Sequence, residues 1–328
     1  MTTIYLVRHA EAEGNLYRIL HGCYNSTITP RGYRQLSALK RRFLDIPLDR
    51  VYSSDLFRAQ TTAAALSVPK GLTTILTPGL REIHAGAWEE RTWAELAREE
   101  PEMNYNFNKA PDLWHAEGSE TFAQVRDRIV AAVQAIAAEN PGKTVAAVSH
   151  GAALRTLLGT LQGLSLREIG TTGHCDNTAV SKLEAEGDQI RVVYRDDASH
   201  LPPALSTFAG QDWHKSDKAT EPGLWFRREG EGSLTAMLEE AEAGRLEFHL
   251  EPDCLWIDRY ELWPDFRGKK YGIQPMGQAV QYARDHGRPC IRMALPPELG
   301  GFFAKYGMVP RENGVWELDI RLILRDIP

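Results

Sequence analysis

Residues 4–11 read Ile4-Tyr5-Leu6-Val7-Arg8-His9-Ala10-Glu11, an apolar run that stops at an arginine and a histidine. A short apolar run rich in β-branched and aromatic side chains predicts a buried strand. In parallel α/β sheets, ligands bind just beyond the carboxyl ends of the strands. Arg8 and His9 therefore stand where such a sheet binds a ligand, although a solvated charge pair is the more frequent meaning of this segment taken alone.

A second apolar run, from Thr144 to Val148, ends in the same way at Ser149-His150-Gly151. A helix is predicted to follow at once, from Ala152 to Leu161. The start of a helix offers unpaired backbone N–H groups and the positive end of its dipole, which together favour anion binding. A lone histidine at such a place more often has a structural role. His150 is therefore a candidate catalytic residue only in combination with the other charged residues at strand ends.

Two further predicted strands are each followed by a charged residue. The strand from Asp49 to Ser53 leads through capping residues into a helix from Leu56 to Leu66, with Arg58 in its first turn. The helix dipole disfavours a cation there, unless an anion is bound beside it. Glu82 follows the third strand, at Thr74 to Thr77.

Residues 15–28 are predicted to be a loop directly after the Arg8-His9 strand, because Thr29-Pro30 is typical of a helix start. The loop brings Asn15, Arg18 and His21 close to that strand end. Solvated loop residues are an equally frequent interpretation of each.

The chain has 328 residues, enough for two domains that each bury a core. Charged residues make up 25% and hydrophobic residues 43%, which is typical of a globular protein. The net charge of −6 argues against nucleic acid as a partner. Neither a membrane span nor a secretory signal is apparent, so we expect a cytoplasmic protein. The four cysteines lack the close spacing of zinc or redox motifs and are expected to be free thiols.

Together, these strand ends and helix starts supply the parts of one reaction. Phosphoryl transfer through histidine needs a neutral imidazole as nucleophile, fixed cations for the phosphate oxygens and an acid for the leaving oxygen. The candidate catalytic residues are Arg8, His9, Arg58, Glu82 and His150. Because the arginines and histidines supply the positive charge, we expect no metal ion and no other cofactor for this reaction.

This ordered set resembles the signature of the histidine phosphatase superfamily over roughly residues 3–200. The matching segments are Arg8-His9, Ser53-Ser54-Asp55 with Arg58, Leu80-Arg81-Glu82, and Ser149-His150-Gly151. The resemblance implies an α/β fold of the phosphoglycerate-mutase-like kind, a three-layer sandwich with a mostly parallel sheet. It also implies that His9 becomes a phosphohistidine and that Glu82 protonates the leaving group. Arg8, Arg58 and His150 would hold the phosphate oxygens.

The same resemblance suggests which residues meet the rest of the substrate. Asn15, His21 and Gly22 are the expected substrate-binding residues, although His21 stands where the family commonly has glutamine. Ala10 replaces the usual glycine, and Arg18 lies one position from the family's loop arginine. The leaving group is expected to be read by the aromatic and mixed side chains of residues 90–120, namely Trp93, Tyr105, Phe107, Trp114 and His115.

The segment after Glu82 is short, as in the family's phosphatases, and lacks the longer insertion of its sugar-phosphate mutases. We therefore expect hydrolysis of a small phosphorylated metabolite, with inorganic phosphate as the product. A phosphoglycerate-mutase-like phosphotransferase is the nearer alternative, and a homodimer is left open.

Residues 204–222 are predicted to link a first domain, 1–203, to a second, 223–328. In the second domain we expect a helix from Ser233 to Ala243, then strands, then a basic turn. That turn resembles the coenzyme A-binding turn of GNAT acyltransferases, and the likeness extends over roughly residues 255–310, in a smaller α/β domain. The implied contacts to coenzyme A or acetyl-CoA are Arg267, Gly268, Lys269, Lys270 and Gly272.

Two positions of this second domain depart from the GNAT pattern. Lys270 replaces the first motif glycine, and Phe303 stands where the family commonly has its acid tyrosine. A working N-acetyltransferase, a coenzyme A-binding module and a packing or dimerisation domain are therefore all open.

Overall fold

The structure is a computed structural model that describes residues 1–187, 189–209 and 223–327. Its first sheet contains β1 (Thr2–Arg8), β2 (Arg50–Ser53), β3 (Thr74–Leu76), β4 (Thr144–Ser149), β5 (Val180–Glu186) and β6 (Gln189–Asp197). The strand order is β3-β2-β4-β1-β5-β6, in which the first four strands are parallel and the last two antiparallel. The predicted hairpin is present in β5 and β6, and Asp188 of its turn lies outside the described residues.

The register of the two central strands determines where the chemistry lies. β1 and β4 are parallel neighbours, and Arg8 is paired with Ser149 at their carboxyl ends. His9 and His150, the next residue on each strand, therefore leave the sheet side by side.

Helices cover both faces of this sheet. They are α1 (Glu13–Tyr17), α2 (Pro30–Arg42), α3 (Phe57–Ser67), α4 (Trp93–Glu99), α5 (Pro101–Lys109), α6 (Phe122–Ala138), α7 (Gly151–Leu161) and α8 (Leu166–Ile169). Ile4 and Leu6 of β1 pack with α6 and α7, whereas Val7 packs with α2 and α3. Successive side chains of a strand point to opposite faces, so two apolar cores form. The predicted three-layer α/β sandwich with a mostly parallel sheet is confirmed for this region.

The second sheet has seven strands in the order β12-β13-β11-β10-β9-β8-β7. Its strands are β7 (Trp225–Gly230), β8 (Ser233–Leu238), β9 (Ala241–Leu250), β10 (Leu255–Leu262), β11 (Cys290–Ala294), β12 (Val309–Pro310) and β13 (Val315–Asp319). β10 and β11 are parallel, and α9 (Gln274–Asp285) lies between them in the chain. A further helix, α10 (Pro297–Ala304), follows β11.

The helix predicted from Ser233 to Ala243 is wrong, because these residues form β8 and the start of β9. Alanine, leucine and glutamate favour a helix by intrinsic propensity, but tertiary packing can override so weak a preference. Here Leu234 lies opposite Leu246 on β9, and both are buried. Glu239 takes the left-handed backbone conformation of a tight turn, with φ of 52°.

The predicted linker begins too early. Leu205 and Thr207 accept hydrogen bonds from the Gln35 side chain on α2, so residues 204–209 pack on the first sheet's helices. The rest of that linker, 210–222, lies outside the described residues. Across the described ranges, no helix combines the length and the apolar character needed to cross a membrane.

Candidate active site

His9 follows β1 and is buried, with 6% of its surface exposed. Its Nδ1 lies 2.7 Å from the carbonyl oxygen of Ala10. Because a carbonyl oxygen can only accept, Nδ1 carries the proton and Nε2 keeps the lone pair. The backbone is also held, since Asn177 Nδ2 donates to the His9 carbonyl at 2.9 Å. Nε2 is therefore the ring nitrogen that can act as a nucleophile.

Arg8 and Arg58 are buried and line the same cavity as His9. Arg8 Nη1 donates to the carbonyl oxygen of Cys175, while the Nε of Arg8 is buried without a partner among the described residues. Arg58, on the first turn of α3, donates to the carbonyl oxygens of Gly22 at 2.6 Å and Tyr24 at 2.8 Å. Neither guanidinium forms an ion pair with a carboxylate in the described parts of the chain. A bound anion would supply the missing negative charge.

His150 precedes α7 and is fully buried, with its ring centroid 5.1 Å from that of His9. Its Nε2 lies 2.8 Å from the Ser54 hydroxyl oxygen. The opposite ring nitrogen, Nδ1, is buried and has no hydrogen-bond partner among the residues described. With Arg8 Nε, it is a second unpartnered polar atom next to the His9 ring.

Glu82 lines the cavity from the other side. Its carboxylate accepts hydrogen bonds from the backbone N–H groups of Ala152 at 3.1 Å and Ala153 at 2.9 Å, in the first turn of α7. The sequence predicted an anion-binding site at the start of α7. In the structure, the carboxylate of Glu82 is the anion that these two amides bind. The same bonds fix the carboxylate at the cavity wall.

Burial and neighbouring cations keep the two histidines neutral. The pKa of His9 is lowered well below its ordinary value by burial first, then by Arg58 and Arg8. The pKa of His150 is lowered well below its usual range by burial, Arg58 and His9. Burial also lowers the pKa of Arg58 to about 10, so this group remains a cation at pH 7. The site therefore pairs a neutral nucleophile with fixed positive charge.

The cavity has a volume of about 220 Å³ and extends beyond the charged residues. The expected substrate contacts Asn15, His21 and Gly22 all line it, and so does Arg18. Its outer wall is apolar and largely aromatic, formed by Ile83, Trp93, Phe107, Phe122, Ile169 and Phe208. Such a wall suits a substrate with an apolar body attached to its phosphate.

Three aromatic or histidine residues expected to read the leaving group do not line this cavity. Trp114 is buried in the core, with its ring 5.4 Å from Trp88 and 5.0 Å from Phe107. Tyr105 and His115 face away and are exposed. Since α5 exposes one side and buries the other, sequence proximity does not decide which of its side chains reach the site.

Sequence reasoning missed the supporting contacts from the loop before β5. Cys175 and Asn177 hold Arg8 and the His9 carbonyl, yet Asn177 is 168 residues from His9 along the chain. No local pattern marks them. Glu11, two residues after His9, does not line the cavity, and its carboxylate accepts hydrogen bonds from Thr29 and Arg31.

The residues expected to bind coenzyme A form an exposed turn before α9. Arg267 Nε donates to the carbonyl oxygen of Leu262 at 2.7 Å, and Gly268 and Lys270 have φ of 72° and 65°. A Cβ atom on Gly272 would lie 3.0 Å from the Phe302 ring. The turn and the cavity beside His9 share no lining residue.

One group of metal-type side chains occurs in the described residues, at Glu251, Asp253 and Cys254, with ligand atoms within 4.8 Å of one another. It lies in the second sheet's unit, and none of its members lines the cavity beside His9. Exposed acidic groups of this kind are common without a bound ion.

Comparison with known proteins agrees with this geometry. A "Metal-independent phosphoserine phosphatase" of Arabidopsis thaliana is 31% identical over 205 residues, which are 61% of this chain and 84% of that protein. A "Probable phosphoglycerate mutase GpmB" of Cronobacter sakazakii is 34% identical over 165 residues, 50% of this chain and 76% of that protein.

A solved structure and a family model match the same region. The structure of Bacillus stearothermophilus YhfR is 31% identical, with a TM-score of 0.60, and the match covers 62% of this chain and 100% of that one. The family model of the histidine phosphatase superfamily, branch 1, matches residues 4–198, more than half of the chain. With Arg8, His9 and Arg58 lining one cavity and the His150 ring against that of His9, the chain belongs to the histidine phosphatase superfamily.

Proposed function

We propose that this protein is a phosphatase that hydrolyses a small phosphate monoester through a phosphohistidine at His9. The observation that carries the proposal is the pair of buried, unpartnered atoms Arg8 Nε and His150 Nδ1 beside the neutral His9 ring. A tetrahedral phosphate has several oxygens to offer such donors, and a guanidinium binds them with paired, charge-assisted bonds.

The residues divide the reaction into two displacements. His9 Nε2 attacks phosphorus, the bond from phosphorus to the leaving oxygen breaks, and that oxygen takes the proton of the Glu82 carboxyl group. Water then attacks the phosphohistidine and gives a proton to the Glu82 carboxylate. The nitrogen–phosphorus bond breaks, inorganic phosphate leaves and His9 returns neutral. Arg8, Arg58 and His150 stabilise the charge on the transferring group throughout.

A small phosphorylated metabolite is the proposed substrate, because a cavity of about 220 Å³ has the size for a small molecule. Two of the relatives carry names from different reactions, a phosphoserine phosphatase and a probable phosphoglycerate mutase. We favour hydrolysis, since the chain from Glu82 runs within a few residues into the turn Gly86–Trp88, without an insertion. A phosphotransferase of the mutase kind is the alternative.

We expect phosphate release from aryl and alkyl phosphates at pH 7 to continue unchanged in the presence of a chelator, because fixed side-chain cations replace a metal ion. A colorimetric phosphate assay over a panel of phosphorylated metabolites measures the rate and the preference. Loss of activity with chelator would contradict the mechanism. Interconversion of phosphoglycerates without phosphate release would establish the alternative.

For the second unit we propose a GNAT-like fold whose basic turn binds acetyl-CoA. In support, β10 and β11 are parallel on either side of α9, and the turn leads into that helix. The backbone N–H groups of Gly268, Lys269 and Lys270 donate to none of the described residues, which leaves them available for a pyrophosphate. Lys270 adopts a left-handed conformation, with φ of 65°, where the family has glycine.

Titration calorimetry with acetyl-CoA tests this second proposal. We expect measurable binding by the full chain and its loss in Lys269→Glu/Lys270→Glu, because the charge of the turn is then reversed. A chain with Arg259→Glu, altered on the exposed part of β10, serves as the control for net charge. Absence of binding by the unaltered chain would leave the unit a packing or dimerisation domain.

A further inference from the structure

The α1 segment, defined here as residues 13–24, separates the cavity beside His9 from the second unit. Its inner side belongs to the site, because Asn15, His21 and Gly22 line the cavity. It also orients a phosphate-binding cation, since Arg58 donates to the carbonyl oxygens of Gly22 and Tyr24. A shift of this segment would therefore move both a cavity wall and the Arg58 guanidinium.

The outer side of the α1 segment packs on α9 of the second unit. Tyr17 is 4% exposed and lies so close to Gly277 that a Cβ atom there would be 2.6 Å from the Tyr17 Cβ. Ile19 lines the cavity and also belongs to the apolar cluster of the second unit. One side chain thus touches both the cavity and that cluster.

A buried ion pair between Arg284 and Glu13 joins the same two segments. Arg284, at the end of α9, donates to both carboxylate oxygens of Glu13, at 2.6 and 2.8 Å. The two side chains are only 13% and 7% exposed. Arg284 also donates to the carbonyl oxygen of Ile320 at 2.9 Å, which ties it to the second unit. A bidentate pair of this kind defines position and angle as well as distance.

The backbone of the α1 segment is held in an unfavourable conformation. Arg18, directly after α1, has φ of 59°, in the left-handed region that non-glycine residues seldom adopt. Such a conformation persists where surrounding contacts over-determine it. Those contacts come from the α4 side, where Trp93 N donates to the Arg18 carbonyl, and from α9 through Tyr17 and Glu13.

We infer that Arg284 is a positioning residue for the phosphate site: by binding Glu13, it holds the α1 segment so that Gly22 and Tyr24 orient Arg58. This inference rests on the proposed phosphatase function and adds to it that the second unit is part of the active-site architecture. The second unit acts here through α9, whatever its turn binds.

The Arg284→Met variant tests the inference, because methionine keeps most of the side-chain length and removes the charge. We expect inhibition of aryl phosphate hydrolysis by inorganic phosphate to weaken about 10-fold, since a small displacement of a positioned group carries a large cost. Hydrogen exchange should become faster in peptides from residues 13–24. Arg259→Met, which removes an exposed pair with Glu261 in the same unit, should change neither quantity.

Two further variants keep the test decisive if Arg284→Met folds poorly. Glu13→Gln should reproduce both changes, and Arg284→Lys, which keeps the charge without the paired bonds, should give an intermediate inhibition constant. The inference is wrong if these variants fold and have the same phosphate inhibition constant and the same hydrogen-exchange rates as Arg259→Met. The ion pair would then only add stability. The two proposals fail in different ways. If the proposed phosphatase function is wrong, the unaltered chain releases no phosphate. Hydrogen exchange needs no turnover, so it still tests the role of Arg284 in that case.

Discussion

His9→Ala is expected to lower phosphate release from an aryl phosphate by about 10,000-fold or more, because the only proposed nucleophile is lost. The His9 side chain has one hydrogen bond, from Nδ1 to the Ala10 carbonyl oxygen, and Asn177 still holds the backbone. The variant should therefore fold and keep Arg8, Arg58 and His150 in place. Rates are measured at pH 7, where the lowered pKa of His9 leaves the ring of the unaltered protein neutral.

The covalent intermediate gives this prediction a second measurement. Rapid quenching of the unaltered protein in base, followed by mass spectrometry, should place the phosphoryl group on the peptide that contains His9. His249→Ala is the matched control, because His249 is half exposed in the second unit and pairs with Asp258. Undiminished activity of His9→Ala, or a phosphoryl group on another residue, would rule out the proposed nucleophile.

Glu82→Gln is expected to slow the first displacement on alkyl phosphates by about 100- to 1,000-fold and that on nitrophenyl phosphate by less than about 10-fold. An alkoxide needs a proton as it leaves, whereas nitrophenolate leaves without one. Ala152 and Ala153 donate to different oxygens of Glu82, so the single amide oxygen of glutamine keeps one of these two bonds to the start of α7. Release of the alcohol or the nitrophenol in the first turnover gives the ratio, because the second displacement, in which Glu82 accepts a proton from water, is the same for both esters.

The control for this variant is Glu120→Gln. Glu120 likewise accepts from a backbone amide, that of His84 at 2.9 Å, and pairs with Arg128, but it does not line the cavity. Its rates on the two esters should change equally, if at all. Equal losses on both esters for Glu82→Gln would show that Glu82 positions the substrate and does not donate the proton.

The candidate catalytic residues were predictable because each one occupies a place that local sequence reveals. Arg8, His9 and His150 end apolar runs, and Arg58 lies in the first turn of a capped helix. Because these strands are parallel, their carboxyl ends meet at the same edge of the sheet, and no other contact is needed to predict that these residues lie close together. The first unit's fold followed from the same alternation of strands and helices.

The failures of prediction have a common physical origin. At Ser233–Ala243, helix propensity of a few tenths of a kcal/mol per residue was outweighed by pairing and burial in a sheet with the adjacent strands β7 and β9. At residues 204–209, polar composition suggested a linker, but hydrogen bonds from Gln35 hold that stretch against the first unit. In both places contacts from outside the stretch decided its conformation, from the neighbouring strands in the first case and from Gln35 in the second.

Local sequence was sufficient to locate the candidate catalytic groups, since they lie at strand ends and helix starts. Tertiary structure alone decided how those groups are oriented. The Asn177 bond to the His9 carbonyl, the carbonyl oxygens that hold Arg58 and the contact of Arg284 with Glu13 depend on segments brought together by folding. Hydrogen-bond geometry and burial arise from such long-range neighbours, and a linear pattern of residues does not contain them.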